Sequence, residues 1–300
     1  MIVVIVGPTG VGKTKLSVEL AKHFHTEIIS GDSVQVYKDL DIGSAKVREE
    51  EMDGIKHHMI DVLEPSDDFS VALYQSMVRE KIDEFEKRNL MPIIVGGTGL
   101  YIKSVLYNYN FSDTKRDHSY EEEVSHLDNE TLHKELEKKD KESANKIHPN
   151  NRKRVLQALQ RADTHKVSSE QGKDEKVYDF LMIGLSMDRE LLYERINQRV
   201  DQMIDEGLVE EARRLYQRDI SYTAAQAIGY KELFAHFDGD LSFEEAIDLI
   251  KTKSRQYAKK QFTFFRNQFD VHWIDVDIKH FDQTVEQAIQ YIKREVDDLC

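Results

Sequence analysis

Residues 2–6 are an unbroken apolar run, Ile2-Val3-Val4-Ile5-Val6, and behind them Leu16, Val18, Leu20, Ala21 and Phe24 recur at helical spacing across 15–24. This predicts a strand, a glycine-rich connection and a helix. Residues 27–30 predict a short second strand that delivers Asp32 and Ser33. Between 69 and 87 the apolar positions Val71, Leu73, Tyr74, Met77, Val78, Ile82 and Phe85 predict another helix. Residues 92–95 then predict a buried strand running into Gly96-Gly97-Thr98-Gly99, with a helix starting near Leu100. Further on, 178–185 has strand character, 189–216 predicts a long helical region interrupted at Gly207, and 242–268 predicts a helix with aromatics near its end. Strands alternating with helices imply right-handed crossovers and a parallel sheet. The expected fold class is α/β, a P-loop parallel-sheet core with a small helical module inserted in it.

The module is expected at 112–145, where the chain turns polar and Leu127, Leu132 and Leu136 are the sparse apolar anchors; a solvated helix pair is the other reading. The expected organisation is therefore 1–111 as the first part of the core, 112–145 as the insertion, and 146–300 as the rest of the core with C-terminal helices. Residues 171–176 read as a polar loop.

With 40% hydrophobic and 33% charged residues the chain can fill a core and solvate its surface. Its one cysteine, Cys300, excludes a disulfide framework and a cysteine-based zinc cluster and fits a reducing compartment. No apolar run reaches the length of a spanning helix, so the expectation is a cytoplasmic chain without a membrane partner. His57-His58, adjacent rather than four apart, reads as a structural pair. A net charge of −14 argues against indiscriminate coating of nucleic acid, but local balance differs. Residues 251–266 hold six Lys or Arg and no acid, whereas 117–142 hold ten acids against four Lys. Lys251, Arg255 and Lys259 recur every four residues and can form a phosphate-facing stripe, with Phe262, Phe264 and Phe265 packing inward.

The chemistry starts at Gly7-Pro8-Thr9-Gly10-Val11-Gly12-Lys13-Thr14. Glycines permit backbone turns that aim successive N–H groups at phosphate oxygens, Lys13 adds a compact charge, and Thr14 can offer its hydroxyl to Mg²⁺. The strand–loop–helix context sets this pattern apart from an incidental glycine turn. An ordinary ATPase would add an Asp ending a core strand to help hold Mg²⁺. Here the best later strand ends in Gly96-Gly97-Thr98 instead, which favours a different phosphorylated substrate. Asp32 follows a strand end, where open α/β sheets gather ligands. Pattern alone leaves it equally a proton acceptor or the cap of a turn. A small-molecule kinase and a nucleotide-gated RNA-binding protein both remain open at this level.

Spaced motifs narrow the choice: the glycine loop, Asp32-Ser33-Val34-Gln35-Val36-Tyr37, Asp41-Ile42-Gly43-Ser44-Ala45-Lys46, Gly96-Gly97-Thr98-Gly99-Leu100-Tyr101, Ile147-His148-Pro149-Asn150, Gly229-Tyr230-Lys231 and Lys260-Gln261-Phe262-Thr263-Phe264-Phe265-Arg266. Over almost its whole length the chain resembles the bacterial tRNA dimethylallyltransferases. The resemblance implies transfer of a dimethylallyl group from dimethylallyl diphosphate to N6 of adenosine 37 in a tRNA anticodon stem-loop, by an enzyme expected to be monomeric. It implies that Gly7, Pro8, Thr9, Gly10, Val11, Gly12, Lys13 and Thr14 hold the diphosphate and Mg²⁺. Asp32 would take the amine proton, Thr98 would line the substrate channel, and Arg199, four residues after Arg195, would bind diphosphate. The tRNA contacts it implies are Asp32, Ser33, Val34, Gln35, Thr98, Lys153, Arg154, Gln157, Gln226, Gly229, Tyr230, Lys231, Lys259, Lys260 and Arg266. The chain departs from the family pattern at Asn151, Gln157, Gln160 and Thr164-His165, and neither Lys115 nor Arg116 matches the module's arginine firmly.

Overall fold

The computed structural model describes residues 1–109, 111, 120, 123–163 and 175–297; Lys115, Arg116, Thr164, His165, Cys300 and 171–174 of the expected polar loop lie outside them. Met1–Leu106 with Lys176–Cys300 forms one compact unit, and Tyr107–Glu175 forms another.

The larger unit is built on a sheet in the order β3-β2-β4-β1-β5-β6, with every pairing parallel. Its strands are β1 (Ile2–Val6), β2 (Ile28–Ser30), β3 (His57–His58), β4 (Ile93–Gly96), β5 (Phe180–Ser186) and β6 (His272–Asp275). All five positions of β1 are buried, which is why its sequence is continuously apolar rather than alternating. Helix α1 (Lys13–His23) and α3 (Val71–Lys87) follow the predicted stripes, with the short α2 (Glu49–Met52) between them. Helix α1 begins two residues earlier than the apolar pattern suggests, because Gly12, at φ 108°, turns the chain directly into it. Beyond α4 (Gly99–Leu106), the region 189–216 is two helices, α8 (Arg189–Asp205) and α9 (Leu208–Tyr216), separated at Gly207, whose φ is 102°. The sequence reading did not include β3, β6 or the C-terminal α13 (Phe281–Asp297). Two-residue β3 and the largely exposed β6 carry too little periodicity to announce themselves.

Register places the site. Val6 of β1 lies opposite Gly96 of β4 and Gly184 of β5, so these strands bring the glycine loop and Gly97-Thr98 to one edge. Beside them, β2 ends where Gly31 N–H donates to Val95 O at 2.7 Å. A Cβ on Gly96 would lie 2.3 Å from Gly31 O, so only glycine lets the two strand ends meet.

The second unit contains α5 (Asn129–Lys139), α6 (Lys141–Lys146) and α7 (Arg152–Asp163). Leu132, Leu136 and Ala144 share a core with Val155, Leu156, Ala158 and Leu159. Helix α7 thus supplies the apolar partner that the sparse leucines before 145 lack. Arg152 ties this core to the preceding segment, donating to Leu127 O at 2.6 Å and Val124 O at 2.8 Å. Among the described residues, no helix is long and apolar enough to cross a membrane.

Replacing Gly96 tests the strand-end contact. Gly96→Ala drives a methyl into backbone rather than a yielding side chain, so it should cost about 2 kcal/mol. The expected drop in thermal midpoint, read by scanning calorimetry, is roughly 4–8 °C; an unchanged midpoint would contradict this packing.

Candidate active site

Three glycines with positive φ shape the phosphate loop: Gly7 at 144°, Gly10 at 81° and Gly12 at 108°. Gly7 also has no room for a side chain, since a Cβ there would sit 2.7 Å from Leu185 O. Lys13 folds back on its own loop, its Nζ donating to Gly7 O at 3.0 Å and Pro8 O at 2.8 Å. Enclosure lowers its pKa to about 7; the charge of Arg199 pushes the same way and Asp32 opposes. From α8, Arg195 Nε donates to Gly10 O at 3.0 Å and braces the loop from behind. Thr14 stands exposed in the first turn of α1.

At the neighbouring strand end, Asp32 Oδ1 accepts from Val34 N–H at 2.8 Å and Gln35 N–H at 3.3 Å. The turn-cap reading is met by this one oxygen. Burial raises the Asp32 pKa, while the two N–H groups, Lys13 and Arg199 hold it down. Thr98 Oγ1 accepts from Ser33 N–H at 3.2 Å, and Thr98 N–H donates to Gly31 O at 3.3 Å. Burial lowers the pKa of Arg199, against the raising effect of Glu51 and in step with Arg195. Lys13, Asp32 and Arg199 are thus near enough to act on one another's charge, with Thr98 on the strand end beside Asp32, and all four are partly exposed.

The residues expected to touch RNA divide. Ser33, Val34 and Gln35 are half-buried beside Asp32. The Gln35 amide is already committed: Nε2 donates to Ala45 O at 3.1 Å and Ser44 O at 3.4 Å, and Oε1 accepts from Ser30 Oγ at 3.2 Å. Any base it reads must therefore donate to the remaining lone pair of Oε1. After the short α10 (Tyr222–Ala225), Gln226 and Lys231 are exposed and joined, Lys231 Nζ donating to Gln226 Oε1 at 2.8 Å. Gly229 is buried and caps α11 (Tyr230–Phe237), its N–H donating to Glu232 Oε2 at 2.9 Å. Tyr230 does not reach an outer surface: it is fully buried and donates its hydroxyl to Glu211 Oε1 at 2.7 Å. Lys259, Lys260 and Arg266 are exposed along α12 (Phe243–Gln268). The expected basic stripe is shorter than its spacing suggests. Lys251 pairs with Asp201 at 2.5 Å and Arg255 donates to Asn197 Oδ1 at 2.5 Å, so both bind α12 to α8. Phe265 is buried, Phe262 packs on Trp273 at 4.7 Å between ring centroids, and Phe264 covers Gly99. In the second unit Lys153 and Arg154 are exposed and Gln157 is half-buried.

Three site residues escaped the sequence reading as functional. Glu211, 2% exposed, receives Asp41 N–H at 3.1 Å, Ile42 N–H at 2.9 Å and Gly43 N–H at 3.0 Å, pinning the 41–46 motif. Gln261 Oε1 accepts Thr9 N–H at 3.0 Å, and Tyr257, whose hydroxyl burial pushes up to about 12, lies on the same helix. Gln261 was quoted in a motif, and Tyr257 precedes it by four residues, on the same helix face.

Residues 35–268 match the family model described as IPP transferase. The chain is 51% identical over 298 residues to the tRNA dimethylallyltransferase of Anoxybacillus flavithermus, covering 97% of this chain and 96% of that one. It is 52% identical over 301 residues to that of Bacillus pumilus, covering 97% and 95%. Among solved structures, the full-length tRNA isopentenylpyrophosphate transferase of Bacillus halodurans superposes with a TM-score of 0.76 at 45% identity, covering 99% of this chain and 97% of that chain. A eukaryotic dimethylallyltransferase acting on tRNA gives a TM-score of 0.83 at 30% identity, covering 99% and 79%.

Lys13 supplies a pH test. With a pKa of about 7 it is largely neutral at pH 8 in the free protein, and a bound diphosphate favours its ammonium form. Binding of inorganic diphosphate should therefore take up a proton at pH 8 and progressively less below pH 7. Calorimetry in buffers of different ionisation enthalpy reads this uptake, and Lys13→Arg, always charged, should lose it. Equal uptake by both proteins would contradict the assignment.

Proposed function

The chain belongs to the IPP transferase family, the tRNA dimethylallyltransferases, enzymes that transfer a dimethylallyl group to tRNA, and we propose that it moves this group from dimethylallyl diphosphate to N6 of adenosine 37 in the anticodon stem-loop. The observation that carries this reading is the pairing of a phosphate loop with Asp32 and Thr98 on adjoining strand ends, under Arg199. The loop N–H groups, Lys13 and Arg199 meet the negative charge that grows on the departing diphosphate. Adenosine 37 must leave its stack to enter the site. Held in line with the allylic carbon, its N6 forms the C–N bond as the C–O bond to diphosphate breaks. The amine becomes acidic only as that bond forms, and Asp32 Oδ2 takes the proton. Neither step requires a covalent enzyme intermediate.

Among the described residues no group of three or more His, Cys, Asp or Glu could hold a metal ion. Thr14, a neutral hydroxyl oxygen at the loop, would be the residue that holds Mg²⁺, an ion that commonly needs few protein ligands beside substrate phosphates. Once bound, Mg²⁺ would supply charge neutralisation to the leaving group. A tRNA substrate supports a cytoplasmic setting.

The test compares wild type with Asp32→Ala, using dimethylallyl diphosphate, Mg²⁺ and an unmodified anticodon stem-loop. Transfer to N6 by wild type and a loss of roughly 10²-fold or more in the variant are expected. Equal rates would remove Asp32 from proton transfer, and ATP consumption without transfer would favour a kinase.

A further inference from the structure

The turn that carries Asp32 is joined through Gln35 to a second turn, 41–45, and that second turn is held by one buried carboxylate. Glu211 of α9 accepts Asp41 N–H at 3.1 Å and Ile42 N–H at 2.9 Å on Oε2. Its Oε1 accepts Gly43 N–H at 3.0 Å and the Tyr230 hydroxyl at 2.7 Å. Tyr230 packs on the turn so closely that a Cβ on Gly43 would lie 2.5 Å from its ring. Past this clamp the chain folds back, Ala45 N–H donating to Ile42 O at 2.9 Å with Ala45 at φ 51°. A non-glycine residue holds that conformation where its surroundings enforce it. Buried Lys46 secures the exit, its Nζ donating to Tyr37 O at 2.8 Å and pairing with Asp41 and Asp61 at 2.5 Å.

The carbonyls of Ser44 and Ala45 are thereby presented to Gln35, whose Nε2 donates to them at 3.4 and 3.1 Å. Ser30 Oγ donates to Oε1 at 3.2 Å. This leaves the amide one orientation, because reversal would set its oxygen against two carbonyls. The backbone N–H of the same Gln35 donates to Asp32 Oδ1 at 3.3 Å.

We propose that Glu211 is a positioning residue for Asp32: by fixing the 41–45 turn it fixes the Gln35 side chain, and with it the N–H that holds Oδ1. The relay runs from Glu211 through the Ser44 and Ala45 carbonyls and Gln35 to the proton acceptor. Were Glu211 present only to satisfy three loop N–H groups, its loss would lower stability and leave the acidity of Asp32 unchanged. Burial raises the Asp32 pKa, and the N–H groups of Val34 and Gln35, with Lys13 of α1 and Arg199 of α8, hold it down. Tyr74 of α3, Tyr101 of α4 and Tyr257 of α12 also feel its charge, and burial keeps their hydroxyls neutral. With those groups in place, loosening the Gln35 N–H moves the Asp32 pKa upward.

This inference rests on Asp32 as the proton acceptor of the proposed function, and its test separates the two. Asp32 is titrated by carboxyl-carbon NMR of the full chain, with Asp32→Asn assigning the signal. Glu211→Gln keeps the shape but sets an amide donor against loop N–H groups, and Gln35→Met keeps the length but removes the link. Each should raise the Asp32 pKa by roughly half a unit to one unit. The two together should raise it no further, because both cut one relay. Should Glu211→Gln not fold, Glu211→Asp, which keeps the charge and withdraws both oxygens by one methylene, should give the same shift. In single-turnover transfer to the stem-loop, the shift appears as a roughly 3- to 10-fold loss on the acid limb with a smaller loss on the plateau. An unchanged Asp32 pKa in the folded Glu211 variant, or additive shifts in the double variant, would overturn the relay and leave Glu211 a stabilising clamp. A wild type that transfers nothing overturns the proposed function instead, and the titration then decides the relay alone.

Discussion

The close approach of Gly31 and Gly96 governs the site because it sets two strand ends side by side with no side chain between them. Asp32 and Thr98 are the next groups along those strands, so their spacing is inherited from sheet register rather than from loops. A hydrogen bond from Gly31 N–H to Val95 O closes the gap, and Thr98 N–H returns one to Gly31 O. With the backbone so constrained, modest side-chain contacts suffice to aim the carboxylate and the hydroxyl. Rigid strand ends of this kind favour reactions that depend on alignment more than on acid strength.

Electrostatics follows from the same enclosure. Lys13, Arg199 and Asp32 lie near enough to act on one another's charge, and burial penalises each of them. Without a ligand the balance is unfavourable to the cations, so Lys13 sits near neutrality and leans on the carbonyls of Gly7 and Pro8. In the proposed function, diphosphate would bring the negative charge that favours the ammonium form of Lys13.

Much of this was legible in the sequence where local rules are strong. The glycine loop, the apolar β1 and the amphipathic α1 and α3 each carry a signal that tertiary context cannot easily reverse. Asp32 was visible as a strand-end carboxylate or the cap of a turn, and the structure shows Oδ1 accepting from both Val34 and Gln35 N–H. Glu211, Tyr257 and Gln261 stayed hidden because a polar residue on an amphipathic helix reads as solvent-facing until its partner is known. The partners of Glu211 and Gln261 are loop N–H groups distant in sequence. Lys251 and Arg255 misled for the mirror reason: four-residue spacing defines a helix face but not what lies opposite it, and here that is α8.

Glu211 and the glycine loop solve one problem in opposite ways. The loop is proposed to gather backbone N–H groups around phosphate oxygen, whereas at 41–43 the oxygen belongs to the protein itself. That anion hole is permanently filled, and Tyr230 seals it from inside. A phosphate oxygen reaching this part of the chain consequently meets three N–H groups already committed to a carboxylate of the protein.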